Sequence, residues 1–367
     1  MYFYKRLLLI LCSISASALI YSLCYKVVLD CRNVAPAVPQ RSSFTGQLLI
    51  DVEFLANIEN QDFEKNSVQI ADFNWSSSSS PHSSGNTVIH RGVDDPAVDY
   101  FVFFVHEERF AVRKFEVASR KLKLLDDREI CVPKNISNFL WEFERSKFID
   151  CARIEMNRSP WTWREIPLTF VESAAKMRNL MVDFRITPII FGGSLLGWYR
   201  ECSIIAHTKD FDFALLSSEY KSEFLEELKK SREFELFWTL GKPSVNFEMS
   251  VYTGGKKIDL FLLYPLPHRR SSMGGFNLDT NELLTYVYPE VKDSEICTGD
   301  LLGRLVFVPC NALDVIKADS GDTWDVDIPS NEFIWYQTPK SILNVTKMSK
   351  EEAEDVVKCF AKDGCKY

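Results

Sequence analysis

The sequence predicts an α/β fold with a mixed β-sheet, and three features of its second half support this class. An apolar strand at 188–190 runs into a glycine-rich turn at 192–194 that opens a helix. A second strand carries the alternating run from Asp210 to Phe213. Beyond a charged helix, three more apolar strands follow at 234–240, 245–252 and 257–264.

Length and composition indicate a globular protein with one large domain and one smaller one. The chain has 367 residues, of which 46% are hydrophobic and 26% are charged. Its formal net charge of −8 is not concentrated in a run of either sign. Because nucleic-acid binding requires a basic surface, this charge argues against a nucleic-acid partner.

The N-terminus predicts a membrane anchor. Lys5 and Arg6 precede an uncharged, mostly apolar stretch from Leu7 to Tyr25, which is about the length of one membrane crossing. A cleaved signal peptide is the alternative, but the apolar run continues past the small residues that could form its cleavage site. We therefore expect a cytoplasmic tail at 1–6, a transmembrane signal anchor at 7–25, a stem at 26–44 and a lumenal remainder, a single-pass type II topology.

Sequons and cysteines agree with a lumenal location. Glycosylation sequons begin at Asn74, Asn135 and Asn344, and a fourth at Asn157 is weakened by a following proline. Eight of the ten cysteines lie outside the predicted anchor and could form disulfides in an oxidising compartment. Two local pairs are the best candidates, with buried free thiols as the alternative: Cys297 with Cys310, and Cys359 with Cys365.

The lumenal part divides into two predicted regions. Residues 45–160 form a smaller N-terminal region of unassigned fold, with a buried strand at 100–105 and one or two strands over 110–125. Residues 161–367 form the larger domain. Its first helix begins at Pro167 and carries one apolar stripe, which we interpret as core: Phe170, Ala174, Met177, Met181 and Phe184.

Three further expectations concern local structure in the larger domain. Ser217 or Ser218 should cap the charged helix that follows. The segment 265–280 lacks clear periodicity and is interpreted as a solvated loop, with a basic flap over phosphates as the alternative. Trp324 and Trp335 are expected to be buried aromatics rather than stacking platforms.

The chemistry-bearing residues cluster around the glycine turn. Gly192, Gly193 and Ser194 lie where a strand becomes a helix, so free backbone N–H groups there suit a phosphate. Asp210 and Asp212 share one face of a strand, where their carboxylates repel unless a divalent cation binds between them.

A third carboxylate completes the pattern. Asp259 interrupts the apolar strand KIDLFLLY, and a buried carboxylate needs a partner or a metal. The alternative interpretation is that Asp259 lies on an edge strand and is hydrogen-bonded to a neighbouring turn. A Gly-Gly-Ser turn, an Asp-x-Asp pair and a later single Asp are typical of the nucleotidyltransferase fold, in which three carboxylates hold Mg²⁺ or Mn²⁺ against nucleotide phosphates.

Ordered blocks between 188 and 335 resemble the fukutin family and, more distantly, bacterial transferases that move phosphocholine from CDP-choline. They are LGWYRECSIIAHTKDFDF, KIDLFLLY, VFVPC, and GDTW with Trp335 beyond it. Two positions depart from the pattern. Thr208 stands where the bacterial relatives carry an acid, and Ala206 stands where a proline is usual.

The resemblance implies an enzyme of the Golgi membrane or endoplasmic reticulum that uses a CDP-alditol donor. It would transfer an alditol phosphate, with ribitol 5-phosphate as the expected alditol, to a glycan on a secreted or membrane glycoprotein, and a complex with other glycosylation enzymes is a further expectation. Asp210, Asp212 and Asp259 would be the catalytic and metal-binding residues. Gly192, Gly193, Ser194, Arg200 and Lys209 would bind the donor phosphates. His207 is not expected to take part.

Two other functions fit parts of the sequence. A glycosyltransferase using a UDP-sugar also employs an Asp-x-Asp pair, although the preceding glycine turn favours the CDP-dependent reaction. A catalytically silent scaffold for glycan-modifying enzymes would be expected to have an incomplete metal site, and Thr208 gives that reading some support.

Overall fold

The computed structural model describes residues 49–50, 89–91, 95–105, 108–122, 128–156, 168–329, 332–361 and 364–365. The predicted anchor at 7–25, the stem at 26–44, Pro167, and the sequons at Asn74 and Asn157 lie outside these residues. Within the described segments, every helix is too short or too polar to cross a lipid bilayer. Contacts divide the chain into two compact units: the first comprises Met1–Asp94 and Phe101–Trp141, and the second comprises Asp95–Tyr100 and Glu142–Tyr367.

The elements up to Phe143 belong mainly to the first unit. The strands are β1 (Leu49–Ile50), β2 (Ile89–Arg91), β3 (Tyr100–Val105), β4 (Glu108–Arg113), β5 (Val117–Leu122) and β6 (Arg128–Pro133), and the helix is α1 (Ile136–Phe143). Strands β1 to β4 form a sheet in that order, and β5 pairs with β6. The predicted strand at 100–105 is confirmed, and the region 110–125 contains parts of two strands.

Aromatic rings form the core of the first unit. Phe139 of α1 packs edge-on against Phe103 of β3, with ring centroids 6.1 Å apart, and against Phe115, at 5.1 Å. Phe103 and Phe139 are both buried, and α1 begins where the Asn135 side chain accepts a hydrogen bond from the Asn138 N–H. Helix α1 therefore packs its aromatic face against strand β3 in the core of this unit.

The second unit contains the remaining helices and strands. They are α2 (Leu168–Asp183), β7 (Ile189–Ile190), α3 (Gly192–Glu201), β8 (Asp210–Leu216), α4 (Ser222–Lys230), β9 (Glu235–Lys242), β10 (Val245–Thr253), β11 (Lys256–Leu266), β12 (Arg270–Asn277), β13 (Glu282–Pro289), β14 (Ile296–Leu301), β15 (Arg304–Pro309), α5 (Ala312–Ser320), β16 (Ile342–Lys347), α6 (Lys350–Val356) and β17 (Val357–Cys359).

These strands form one mixed sheet, which confirms the predicted fold class for this unit. Its main path runs β14-β15-β7-β8-β11-β10-β9-β17. Strand β8 pairs with β11 in parallel and β15 with β7 in parallel, whereas the other pairs are antiparallel. The long strand β11 also pairs through its end with β12, which begins a side branch of β12, β13 and β16.

The apolar stripe predicted for the first helix of the larger domain is largely confirmed as core. Phe170, Ala174, Met177 and Met181 are buried along α2. Phe184 lies beyond the end of the helix, half-buried, and its ring packs against Phe224 of α4 with centroids 5.6 Å apart. The helix therefore closes one face of the sheet, as its spacing predicted.

The interpretation of the segment 265–280 as a solvated loop is wrong. Half of it is β12, and all but the first residue of that strand are buried. Two adjacent glycines hide the strand pattern, because they have no side chains to alternate. Both are needed for close packing. A Cβ on Gly274 would lie 2.3 Å from the Cβ of Asn246, and one on Gly275 would lie 2.9 Å from the Tyr286 ring.

Two smaller expectations also fail. The charged helix α4 begins at Ser222 after Lys221, whose side chain makes no capping bond, while Ser217 and Ser218 belong to a separate 3-10 turn. Trp335 is 44% exposed rather than buried. In both cases the residue type suggested a role, a helix cap for serine and a core position for tryptophan, but the tertiary structure places the residue in a different environment.

Three disulfides are present among the described residues. Cys297–Cys310 and Cys359–Cys365 join the predicted local pairs. A third bond, Cys151–Cys202, was not predicted, because its cysteines are separated by 51 positions. It ties the segment after Trp141 to the end of helix α3, where Cys202 adopts a left-handed backbone conformation.

Candidate active site

The pairing of β8 with β11 brings the three predicted acids together. In this parallel register Asp212 is opposite Asp259, and Asp210 is opposite Lys257. Phe211 and Phe213 point to the other face and are buried, so alternation along the strand places both carboxylates of the pair on one side. The carboxylate oxygens of Asp210, Asp212 and Asp259 lie within 4.8 Å of one another.

The glycine turn lies directly against these acids. Phe191 is extended, and Gly192 opens helix α3 with a φ of +52°. A Cβ at Gly192 would lie 2.9 Å from Oδ2 of Asp212, so both the backbone conformation and the space require glycine there. Gly193 also approaches this carboxylate, at 3.9 Å by the same measure.

Hydrogen bonds fix the turn to the strand. Ser194 accepts a bond from the Asp212 N–H at 2.9 Å, and the Phe191 N–H donates to the Asp212 carbonyl at 3.0 Å. The N-terminal N–H groups of a helix carry partial positive charge and attract phosphate. The predicted phosphate-binding turn is thus adjacent to the acid cluster, while the roles of Gly192, Gly193 and Ser194 as donor ligands remain predictions.

The electrostatics of the cluster fit a divalent cation. Burial, followed by the charges of Asp210 and Asp259, holds the pKa of Asp212 well above its ordinary range. Burial also raises the pKa of Asp259, against the opposing effects of Lys257 and Ser250. Three carboxylates that destabilise each other as anions form an all-oxygen donor set of the kind that Mg²⁺ and Mn²⁺ prefer.

Asp259 is held by its neighbours. Ser250 of β10 donates to Oδ1 of Asp259, and Lys257 forms an ion pair with Oδ2 at 2.8 Å. Trp238 in turn donates its Nε1–H to the Ser250 hydroxyl at 2.6 Å. The buried acid therefore has the cationic partner that its position in an apolar strand required, and its orientation toward Asp212 is set by three strands.

Glu248 is a fourth buried acid that the sequence analysis missed. It lies on β10, and burial together with the charge of Asp259 raises its pKa to about 8. Its Oε1 lies 3.5 Å from the Ser250 hydroxyl. The signal was present, since a lone Glu in the apolar run from Val245 to Tyr252 is as unusual as Asp259 in its strand.

Arg200 contacts a different part of the molecule from the one expected. Its guanidinium is 1% exposed and donates to the carbonyls of Trp324 and Val326, each at 3.2 Å. It also pairs with Glu201 at 2.6 Å and with Asp327 at 3.3 Å. Arg200 thus anchors the segment after α5 to helix α3, and the phosphate-binding role predicted for it stays a prediction.

The residues before the acid pair form the rim of the site. Thr208 donates to Oδ1 of Asp210 at 3.3 Å, so a hydroxyl donor stands where the bacterial relatives carry an acid. Lys209 is exposed on the cavity wall, consistent with the predicted phosphate contact without testing it. His207 lies 3.3 Å from Asp327.

A cavity of about 630 Å³ contains the whole arrangement. Its wall includes the glycine turn, the three acids, Glu248 and Lys257, and it continues past β12 and β13 to the segment after α5. This volume is within the range of small-molecule and cofactor sites. The site can therefore bind a phosphorylated ligand at the acid cluster with room for a second group.

Two family models match the chain. Residues 185–311 match the LicD/FKTN/FKRP nucleotidyltransferase domain, and residues 37–150 match the W02B3.4-like N-terminal domain. The first match covers the glycine turn, the Asp-x-Asp pair and Asp259. The second covers most of the N-terminal region that the sequence analysis left unassigned.

Similar proteins support these matches. The uncharacterized protein W02B3.4 of Caenorhabditis elegans is 30% identical over 63% of this chain and 61% of its own length. The uncharacterized protein T07A5.1 of the same organism is 28% identical over 71% of this chain and 69% of its own. The human ribitol-5-phosphate transferase FKTN is 28% identical over 59% of this chain.

The aligned part spans 48% of human FKTN, so about half of that protein has a counterpart here. The family-model match at 185–311 includes Asp210, Asp212 and Asp259, together with the glycine turn beside them. The resemblance that the motifs predicted is confirmed: residues 185–311 of this chain match the LicD/FKTN/FKRP nucleotidyltransferase domain.

Proposed function

We propose that this protein transfers an alditol phosphate, ribitol 5-phosphate, from a CDP-activated donor to a hydroxyl group of a protein-linked glycan and releases CMP. The observation that carries this proposal is the convergence of Asp210, Asp212 and Asp259 against the N-terminal turn of α3. The similarity to FKTN, whose name describes a ribitol-5-phosphate transferase, supports the choice of alditol.

In the proposed reaction, the acceptor oxygen attacks the phosphorus that carries the alditol, and the bond from that phosphorus to CMP breaks in line. Asp210, Asp212 and Asp259 would hold the divalent ion, which when bound neutralises charge on the phosphate oxygens. The N–H groups of Gly192 and Gly193 bind a donor phosphate, and Lys209 pairs with it from the rim. An acid of the cluster accepts the proton of the acceptor hydroxyl.

The proposed location is the Golgi or endoplasmic reticulum membrane, with type II topology through residues 7–25. The three disulfides support an oxidising lumen, because such bonds rarely persist in the cytosol. The glycan acceptor would belong to a secreted or membrane glycoprotein, and a complex with other glycosylation enzymes is part of the proposal.

The test is an assay of nucleotide release by the purified lumenal region. With MgCl₂, CDP-ribitol and a glycoprotein acceptor, we expect CMP, and Asp210→Ala should abolish its release while binding to any partner persists. Release of UDP from UDP-sugars instead would favour a glycosyltransferase. Release of neither nucleotide, with no binding of CMP, would overturn the proposal and favour a scaffold.

A further inference from the structure

Trp335 is exposed on the cavity wall although its position is fixed. The Tyr286 hydroxyl donates to the Trp335 carbonyl at 2.9 Å, and the Tyr336 ring packs edge-on against the indole at 5.3 Å. The indole lies against the backbone of Gly275, where a Cβ would come 3.3 Å from its Cζ3 atom. The ring is therefore supported from behind while 44% of the residue faces solvent.

The surroundings of Trp335 share its apolar exposure. Phe333 and Val326 line the same cavity and are 46% and 57% exposed. An exposed aromatic ring on a rigid backing is the arrangement by which proteins present apolar surface to a ligand at low entropic cost. The wall around Trp335 thus fits a ligand with a flat or weakly polar face.

The polar groups near Trp335 are hydrogen-bond acceptors. The Tyr286 hydroxyl, which donates to the Trp335 carbonyl, has a pKa that is raised by burial and then by the charges of Asp319 and Glu248. Both acids therefore lie near that hydroxyl. Asp319 and Asp279 also line the cavity. An ionised carboxylate accepts hydrogen bonds and a protonated one also donates, so ligand hydroxyl groups, which can do both, suit this wall.

The lysine and arginine side chains on the described cavity wall are paired with acids, or lie beside the acid pair, rather than at Trp335. Lys257 pairs with Asp259, and Arg200 pairs with Glu201 and Asp327. Lys209 belongs to the rim beside the acid pair. The wall at Trp335 therefore suits an uncharged ligand rather than a second phosphate.

We propose that Trp335 is the stacking platform of an acceptor subsite, on which one uncharged sugar ring of the glycan lies. The C–H face of the ring covers the indole, and its hydroxyl groups form hydrogen bonds with the nearby carboxyl groups. That this sugar is the acceptor rests on the proposed function, whereas its binding to Trp335 does not.

The cytosine ring of the donor is the competing occupant, because nucleobases also stack on aromatic side chains. Its edge carries one amino group as donor, and its carbonyl and ring nitrogen are acceptors. An ionised Asp319 can accept a hydrogen bond only from that single amino group, whereas each sugar hydroxyl can donate to an ionised acid or accept from a protonated one. A sugar ring presents hydroxyl donors on all sides and avoids this mismatch.

The test uses two kinds of probe and four proteins. Methyl glycosides of galactose, mannose, N-acetylglucosamine and N-acetylgalactosamine are titrated one at a time, and CMP with MgCl₂ is titrated separately, both by calorimetry. The proteins are the wild type, Trp335→Ala, Trp335→Phe and Gly275→Ala. Gly275→Ala would place a Cβ 2.9 Å from the Tyr286 ring and 3.3 Å from the indole, so it shifts the support of the platform while keeping Trp335. Trp335→Phe keeps an aromatic face in case the alanine variant folds poorly.

We expect the wild type to bind at least one glycoside, with affinity at least tenfold lower in Trp335→Ala, lowered in Gly275→Ala and within about threefold in Trp335→Phe. CMP affinity should be the same in all four proteins. No glycoside binding by the wild type, or equal binding by Trp335→Ala, overturns the subsite. Loss of CMP binding in Trp335→Ala with glycoside binding intact assigns the platform to the nucleobase. Failure of the wild type to bind CMP contradicts the proposed function and leaves the glycoside result to decide the subsite.

Discussion

Asp212 shows the electrostatic cost of the acid cluster at a single residue. Its carboxylate is half-buried beside two others, and its pKa is raised by desolvation and by both neighbours. We therefore predict that in EDTA the isosteric variant Asp212→Asn is more stable than the wild type by roughly 1 to 3 kcal/mol, because folding of the wild type requires either uptake of a proton by Asp212 or a repelled charge at that position, and the amide requires neither. Thermal unfolding in EDTA measures this difference.

Adding MgCl₂ to the same two proteins tests the metal site itself. A ligand that binds only the folded state raises the Tm, so the wild-type Tm should increase and that of Asp212→Asn should change little. The control is Asp322→Asn, which makes the same charge change at a side chain that is 97% exposed, and it should respond to MgCl₂ as the wild type does. A full Mg²⁺ response in Asp212→Asn would contradict the assignment.

The raised pKa of Glu248 predicts that the free energy of unfolding depends on pH. Its pKa is raised from 4.5 to about 8, first by burial and then by Asp259. Between these two values the folded state keeps a proton that the unfolded state has lost, so the metal-free protein should lose stability as the pH rises through this window. Below it, both states are protonated and this group contributes no slope.

The variant Glu248→Gln removes the titrating group while preserving its shape. In EDTA, we expect its Tm to fall less than the wild-type Tm between pH 5 and pH 8, roughly the limits of that window. Some slope should remain, because the pKa values of Asp212 and Asp259 are raised as well. Parallel pH profiles for the two proteins would show that Glu248 is ionised in the folded state.

At the scale of elements, the disulfides close loops of different length, so their removal should cost different amounts of stability. Cys151–Cys202 spans 51 positions and Cys359–Cys365 spans 6. In the chain-entropy account, replacing both cysteines by serine should cost about 4 kcal/mol for the first pair and about 2 kcal/mol for the second. Urea unfolding of the two double variants measures both costs. Equal losses would show that the longer loop is already restricted in the unfolded chain.

Strand β16 carries the sequon at Asn344 on an exposed sheet edge. It pairs with β13 in the described sheet, and Leu343 and Val345 are exposed beside the asparagine. The Asn344 amide donates to the Thr346 hydroxyl at 3.0 Å. A glycan here would cover an edge that could otherwise pair with another chain.

We therefore predict that Asn344 is glycosylated when the full chain is made in a secretory cell. Glycosidase treatment should increase the gel mobility of the wild type, and Asn344→Gln should remove one step of that change. Asn135→Gln is the comparison, because the Asn135 side chain caps α1 and Ile136 within its sequon is buried. An unchanged pattern in Asn344→Gln would argue against lumenal exposure of this edge.

The elements that could be predicted from sequence are those with a local signature. Strands β8 and β11 have apolar runs interrupted by acids, and α2 has a regular stripe, so all three were found. Strand β12 was missed because its adjacent glycines leave no side chains to alternate. The link from Arg200 to Asp327 was missed because it joins positions far apart in sequence, and only the packing of the domain reveals it.

At the scale of the whole molecule, the second unit includes a segment that interrupts the first unit in sequence. This segment, Asp95–Tyr100, lies between the two parts of the first unit, Met1–Asp94 and Phe101–Trp141. Within the second unit, Asp99 pairs with Arg178 of α2 at 2.7 Å and accepts from the Leu305 N–H of β15 at 2.8 Å. The folded domain therefore depends on residues well before the matched family region at 185–311.

Asp99→Ala tests this dependence. Arg178 is 2% exposed, so removing Asp99 leaves a buried guanidinium without its carboxylate, which typically costs about 3 to 5 kcal/mol. The comparison is Glu172→Ala, because Glu172 lies 3.9 Å from Arg304 at the surface, where such a pair contributes about 0 to 1 kcal/mol. Urea unfolding of both variants measures these losses. A small loss in both would mean that Arg178 finds other partners and that the segment 95–100 is dispensable. A large loss in Asp99→Ala alone would mean that a fragment beginning at residue 142 lacks a contact its core requires.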